Sequence, residues 1–143
     1  MMKLALLKDL PAIVTLLAAS KLCHDDLTPE HMAHFFTLRD RGELIGAVGL
    51  ELSGSDALLR SLIVAPNHRG KRLGIQLVEG VEAHAHDMGV TSLYLLTTTA
   101  DHFFDQRGYE RIERASVPET IGATTEFVSF CPESAVCMWK DLN

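Results

Sequence analysis

The chain has 143 residues, 47% apolar and 22% charged, which suits a single core-bearing domain and excludes wholesale disorder. A formal net charge of −6 excludes nucleic acid as the main partner. Three cysteines, Cys23, Cys131 and Cys137, are odd in number and widely spaced, which fits reduced thiols in a cytoplasmic protein rather than a disulfide framework.

In chain order, Lys3–Leu7 is a short apolar run that reads as an opening strand. Lys8, Asp9 and Pro11 interrupt the apolar residues that follow, so no signal-peptide core forms, and no run reaches membrane-spanning length. Asp9 is placed to cap a helix with Pro11 in its first turn, and Leu10, Ile13, Val14 and Leu17 recur at helical spacing. Cys23–Glu30 is polar, carries Pro29 and reads as a loop. Met32–Leu38, Glu43–Leu52 and Ala57–Val64 read as strands, separated by the turns Asp40-Arg41-Gly42 and Ser53-Gly54-Ser55-Asp56. Two tight turns between three strands predict an antiparallel meander. Leu73, Leu77, Val81, Ala85 and Met88 mark the core stripe of a longer helix ending at Gly89. Ser92–Thr98 is a strand, Ala100–Arg107 a short helix stopped by Gly108, and Tyr109–Arg114 a strand. Ser116 to Glu119 has capping-box spacing for another short helix, and Ala135–Lys140 closes as a strand. Neither repeat nor linker interrupts this order, so 1–143 is expected to be one mixed α/β domain.

The most informative stretch is Val64-Ala65-Pro66-Asn67-His68-Arg69-Gly70-Lys71-Arg72-Leu73-Gly74. A strand leaves the core, a basic turn follows, and a helix begins. The start of a helix leaves about four backbone N–H groups unpaired and carries partial positive charge, so it receives phosphate oxygens. Neither the P-loop pattern nor the dinucleotide G-x-G-x-x-G is present. On an acidic chain, local positive charge at 69, 71 and 72 suits a small polyanion.

The segment resembles motif A of the GNAT acetyltransferases, R/Q-x-x-G-x-G/A, with Arg69 in the first position and Gly74 in the last. Arg72 stands at the middle glycine position, which accepts another residue when its φ is negative. Ala100-x-x-Phe103-Phe104-x-x-x-Gly108-Tyr109 resembles motif B. The order β-α-β-β-β-α-β-α-β is similar to the GNAT fold over nearly the whole chain. That fold is a mixed, mostly antiparallel sheet with a splayed fourth and fifth strand and flanking helices. Leu58-Leu59-Arg60-Ser61-Leu62, Tyr94 to Ala100 and the tail Cys131-Pro132-x-Ser134-Ala135-x-Cys137-Met138 resemble a subgroup, the arsenic-resistance N-acetyltransferases.

The resemblance implies a cytoplasmic acyltransferase that moves acetyl from acetyl-CoA to the amine of a small molecule, with neither nucleic acid nor membrane as partner. Backbone groups of Leu62, Ile63 and Val64 would meet pantetheine, with an N–H near Leu62 facing the thioester carbonyl. Arg69, Gly70, Lys71, Arg72, Leu73 and Gly74 would hold the pyrophosphate. Thr97 stands where relatives carry a cofactor-contacting Asn, although a helix-start role with Thr99 is the alternative. Phe104 takes the place of motif B's tyrosine acid and cannot donate a proton, and Tyr94 and Tyr109 read as strand residues. The resemblance leaves open a homodimer built through the last strands.

Acetyl transfer needs a neutral amine, donors for the oxyanion and a departing thiolate. Arg60, among aliphatic residues in a central strand, must pair with an anion to be buried. Two readings stand: a clamp on the carboxylate, phosphinic or arsenic acid group of an acceptor, or a salt bridge to Glu51 or Glu126. Glu51, His34 and Glu126 are the candidates for a base. The cysteines read as small buried residues rather than arsenic ligands, and His84 and His86 point to different sides of a helix, so no metal site is expected. The leading reading is an N-acetyltransferase of an amino-acid-like or arsenic- or phosphinic-acid acceptor. The alternative is a non-catalytic coenzyme A-binding or arsenic-sensing module on the same fold.

Overall fold

In this computed structural model, residues 2–130 and 134–143 are described, and the expected tail residues Cys131 and Pro132 lie outside them. The strands are β1 (Lys3–Leu4), β2 (Phe35–Asp40), β3 (Glu43–Ser53), β4 (Asp56–Val64), β5 (Ser92–Thr97), β6 (Glu110–Arg111) and β7 (Val136–Asp141). The helices are α1 (Leu10–Ala19), α2 (Leu73–Asp87), α3 (Asp101–Asp105) and α4 (Glu119–Gly122). Seven strands hydrogen-bond in the order β1-β2-β3-β4-β5-β7-β6.

Turn chemistry sets the meander. Asp40 pairs with Glu43 across Arg41 and Gly42, whose φ values of 53° and 82° are both left-handed, as a two-residue I′ turn requires. Gly54 (φ 62°) begins the two-residue link from β3 to β4. β4 and β5 are parallel, with Asp56 opposite Ser92 and Leu58 opposite Tyr94. β7 runs antiparallel to β5 from Ser92↔Asp141 to Thr97↔Val136 and carries β6 on its other edge. The mixed, mostly antiparallel sheet with flanking helices is the expected architecture.

Packing divides the chain into two compact units, Met1–Glu51 with Arg60–His84, and Leu52–Leu59 with Ala85–Asn143. In the first, Ile13 and Leu17 of α1 pack with Met32, Phe35, Ala47 and Ile63, all buried. Gly49 leaves room for the fully buried Phe35 ring. In the second, Leu58, Ile121, Phe127 and Cys137 form the core, flanked by Tyr94, Leu96, Ile112 and Val117.

Several boundaries differ from the sequence expectations. The opening strand ends at Leu4, because Leu7–Asp9 is a 3-10 turn and the Asp9 carboxylate accepts the Leu6 N–H at 2.7 Å. Asp9 therefore ties the turn and the Arg39 guanidinium (2.6 Å), and makes no side-chain cap on α1. Residues 29–34, expected in part as strand, form a 3-10 helix opened by Thr28 and Pro29. Ser116 caps nothing: Pro118 is the residue before α4, and the 114–116 segment is a 3-10 turn. Met88 lies past α2 and is 50% exposed, so it is not core. No helix among the described residues is long and apolar enough to cross a membrane.

Gly49→Ala tests the core contact. A Cβ there would stand 2.2 Å from Phe35 Cε1 and 2.4 Å from Cζ, and a fully buried ring has nowhere to swing. The expected loss is about 1–3 kcal/mol, read as a lower urea midpoint at unchanged slope. An unchanged midpoint would mean that the ring repacks freely.

Candidate active site

Beyond Asp56 at its start, β4 is aliphatic on both faces except at Arg60 and Ser61, and both are buried. A guanidinium in that place needs anions, and it has two. Arg60 Nη2 donates to Asp26 Oδ1 at 2.7 Å, Nη1 donates to Asp26 Oδ2 and to Glu51 Oε2 at 2.8 Å, and Nε donates to Ser61 Oγ at 3.1 Å. The Arg60 side chain is 0% exposed, Asp26 7% and Glu51 23%, so Glu51 is the member that reaches solvent. Burial works to raise the Asp26 carboxyl, but the Arg60 hydrogen bonds and charge outweigh it and hold the group below its ordinary value. Arg60 is thus engaged as an ion pair and does not stand open as a clamp for an acceptor anion. The salt-bridge reading found one partner, Glu51, and missed the main one, Asp26.

His31 completes the cluster. The Thr28 backbone N–H donates to His31 Nδ1 at 3.0 Å, which leaves Nε2 to carry the proton of the neutral ring, 3.9 Å from Glu51 Oε2. Asp26, His31 and Glu51 each offer an atom within 4.8 Å of the others, a spacing a metal ion could use. Arg60 already supplies positive charge to both carboxylates there.

Ser61 bends the strand beside this cluster. Its φ of 59° is left-handed in mid-strand, the local irregularity of a bulge, and it re-aims the backbone of Leu62, Ile63 and Val64. Beyond it Ala65 donates its N–H to Ile45 O at 2.7 Å, Pro66–His68 form a 3-10 turn, and α2 begins at Leu73. Arg69 is exposed and folds back, with Nε on Val64 O at 3.1 Å and Nη2 near Ser20 Oγ at 3.4 Å. Gly70 has φ 82° and Arg72 φ 63°. The condition under which motif A's middle position tolerates a side chain, a negative φ, is therefore not met. Arg72 holds a glycine-like conformation at a cost of about 1–2 kcal/mol. Lys71 and Arg72 are exposed, and Leu73 and Gly74 form the first turn of α2.

Thr97 and Phe104 belong to the second unit. Thr97 Oγ1 accepts the Ala100 N–H at 3.0 Å, just before α3, the helix-start role. Phe104 is buried edge-on between Phe103 (5.2 Å) and Tyr109 (5.1 Å). Cys137 is buried in that unit's core, where burial pushes its thiol up despite Arg114, so it is a poor source of thiolate. Of the other base candidates, Glu126 is buried in a wide turn, and His34 lies against His84 with ring centres 6.2 Å apart.

Residues 6–112 match the acetyltransferase (GNAT) family. An uncharacterized N-acetyltransferase of Chlorobaculum tepidum is 32% identical over 109 residues, 76% of this chain and 68% of its own length. The chain belongs to the acetyltransferase (GNAT) family. It is an acetyltransferase, and its cosubstrate is acetyl-CoA. An amino-acid acetyltransferase of Pasteurella multocida is 28% identical over 127 residues, but the present acetyltransferase spans only 28% of that protein's length. Among solved structures, N-acetylglutamate synthase of Neisseria gonorrhoeae with coenzyme A and L-arginine superposes with a TM-score of 0.84 at 21% identity. That match takes in all of this acetyltransferase and 33% of the other chain. Rv2747 of Mycobacterium tuberculosis in complex with CoA superposes at 0.85 and 21% identity, over 100% of this chain and 99% of the other. Both structures share the fold.

Arg72→Gly relieves the left-handed strain but frees the unfolded chain by about 0.5–1 kcal/mol, so a net gain of up to about 1 kcal/mol is expected in the acetyltransferase. Thermal or urea unfolding checks it, and a loss would show that the Arg72 side chain makes compensating contacts. Asp26→Asn tests the ion pair through pH. A carboxyl with a lowered folded pKa contributes stability above its unfolded value of about 3.9, lost as pH falls through the folded pKa. The wild type should therefore lose stability over that acid window, and Asp26→Asn should start lower and show a flatter profile. Parallel profiles would show that the pair adds nothing.

Proposed function

We propose that the chain N-acetylates the amine of a small amino-acid-like molecule. The observation that carries this is the run from the left-handed bulge at Ser61, through the backbone of Leu62, Ile63 and Val64, into the basic helix start at 69–74. A bulge exposes strand backbone groups to a ligand, and a helix start receives phosphate. In this reading the Leu62 N–H meets the thioester carbonyl, and Arg69, Gly70, Lys71, Arg72, Leu73 and Gly74 hold the pyrophosphate. Thr97 and Phe104 keep the positions the family resemblance assigns them, with no acid at 104. Residues 1–143 act as one acetyltransferase domain. The amino-acid acceptor is supported by the amino-acid acetyltransferases among the relatives. An arsenic- or phosphinic-acid amino acid is the narrower version, and it rests on the subgroup resemblance alone.

The test is incubation with acetyl-CoA and a panel of amino acids, including glutamate and phosphinic- and arsenic-containing analogues, read by mass spectrometry. N-acetylation confined to amino acids is the expected result, and Arg69→Ala should then weaken acetyl-CoA binding about tenfold or more through a lost charge-assisted contact. Transfer only to peptide or polyamine amines would overturn the acceptor class.

A further inference from the structure

The buried cluster around Arg60 is not electrically neutral. One guanidinium faces two carboxylates, and the ring facing them, His31, is held with Nδ1 as an acceptor. One negative charge is in excess, and geometry decides where it is available. Asp26 spends both oxygens on Arg60, is 7% exposed and is held ionised by that pairing, which makes it a poor proton acceptor. Glu51 accepts from Arg60 through Oε2 alone and is 23% exposed. His31 places Nε2 3.9 Å from the same oxygen, beyond direct hydrogen-bond range. The Arg60 Nε–Ser61 Oγ bond then ties the group to the bulge that precedes Leu62.

We propose that Glu51 is the base that takes the proton from the acceptor's ammonium, with Arg60 and Asp26 as positioning residues and the solvent-facing side of Glu51 as the path by which that proton leaves. The proposal rests on the acetyltransferase reading of the β4 bulge but not on the acceptor being an amino acid. In the step, R–NH3+ gives a proton to the Glu51 carboxylate, and the freed nitrogen lone pair forms the C–N bond at the acetyl carbonyl. The carbonyl pair moves to oxygen and returns, breaking the C–S bond, and the second N–H proton goes to the departing thiolate. The products are R–NH–acetyl, coenzyme A thiol and one proton on Glu51, passed to solvent from its exposed side. Arg60 fixes the aim of the Glu51 carboxylate, and Asp26 holds Arg60.

The test uses the full chain with acetyl-CoA and paired acceptors. Hydroxylamine is already neutral near neutral pH, whereas n-butylamine and amino acids are ammonium ions. Glu51→Gln, nearly isosteric, should lower kcat with the cationic acceptors by about 10²- to 10³-fold. It should also remove the acidic limb of their pH profile, leaving a rate that follows the free-amine fraction. The hydroxylamine rate should change less than about threefold, and acetyl-CoA affinity should hold. Asp26→Asn, as a positioning change, should displace that limb rather than remove it. Equal losses with both acceptor types, or weaker acetyl-CoA binding, would make Glu51 structural and overturn the proposal. So would an unchanged profile. If n-butylamine is acetylated and amino acids are not, the acceptor reading fails while the Glu51 result still stands or falls by the hydroxylamine comparison. No transfer to any amine by the wild type overturns both.

Discussion

A positive charge buried in a central strand governs much of the first unit. Arg60 has no solvent to hydrate it, and leaving such a charge unpaired costs several kcal/mol. That demand brings Asp26 out of an otherwise unpatterned loop and sets Glu51 near the end of β3. It also turns Ser61 so that its hydroxyl meets Nε. One desolvated group thus orders a loop, a strand end and a strand irregularity together. Replacing it alone with an aliphatic residue would leave the Asp26 carboxylate buried without its counter-charge.

The same economy appears in the basic turn. A glycine at position 72 would satisfy the left-handed backbone without strain, yet an arginine stands there and adds positive charge beside Arg69 and Lys71. Strain kept at one residue is a pattern of ligand-facing segments, where the surrounding structure over-determines an unfavourable conformation.

Periodicity made the scaffold legible. The 3.6-residue spacing of Leu10, Ile13 and Leu17 and of Leu77, Val81 and Ala85 located two helices, and Gly and Asp turns located the meander within a residue or two except at its first strand, which begins three residues later than expected. The misses share a cause. Asp26 lies 34 residues from Arg60, and no local pattern marks a long-range ion pair. Ser61 and Arg72 are non-glycine residues with positive φ, imposed by tertiary contacts that residue type does not disclose. Asp9 and Ser116 had capping chemistry, but nearby 3-10 turns used the backbone differently. The motif positions could be located by resemblance, whereas the state of their side chains could not.

Cys137 carries a separate consequence. It is 3% exposed on β7, between β5 and β6 in strand order, with a thiol made more reluctant to ionise by burial. An alkylating reagent can meet it only after β7 comes away from its neighbours. Its labelling rate, followed peptide by peptide, is therefore a built-in clock for the opening of the second unit. The chain reports its own local unfolding through a native thiol, without an engineered one.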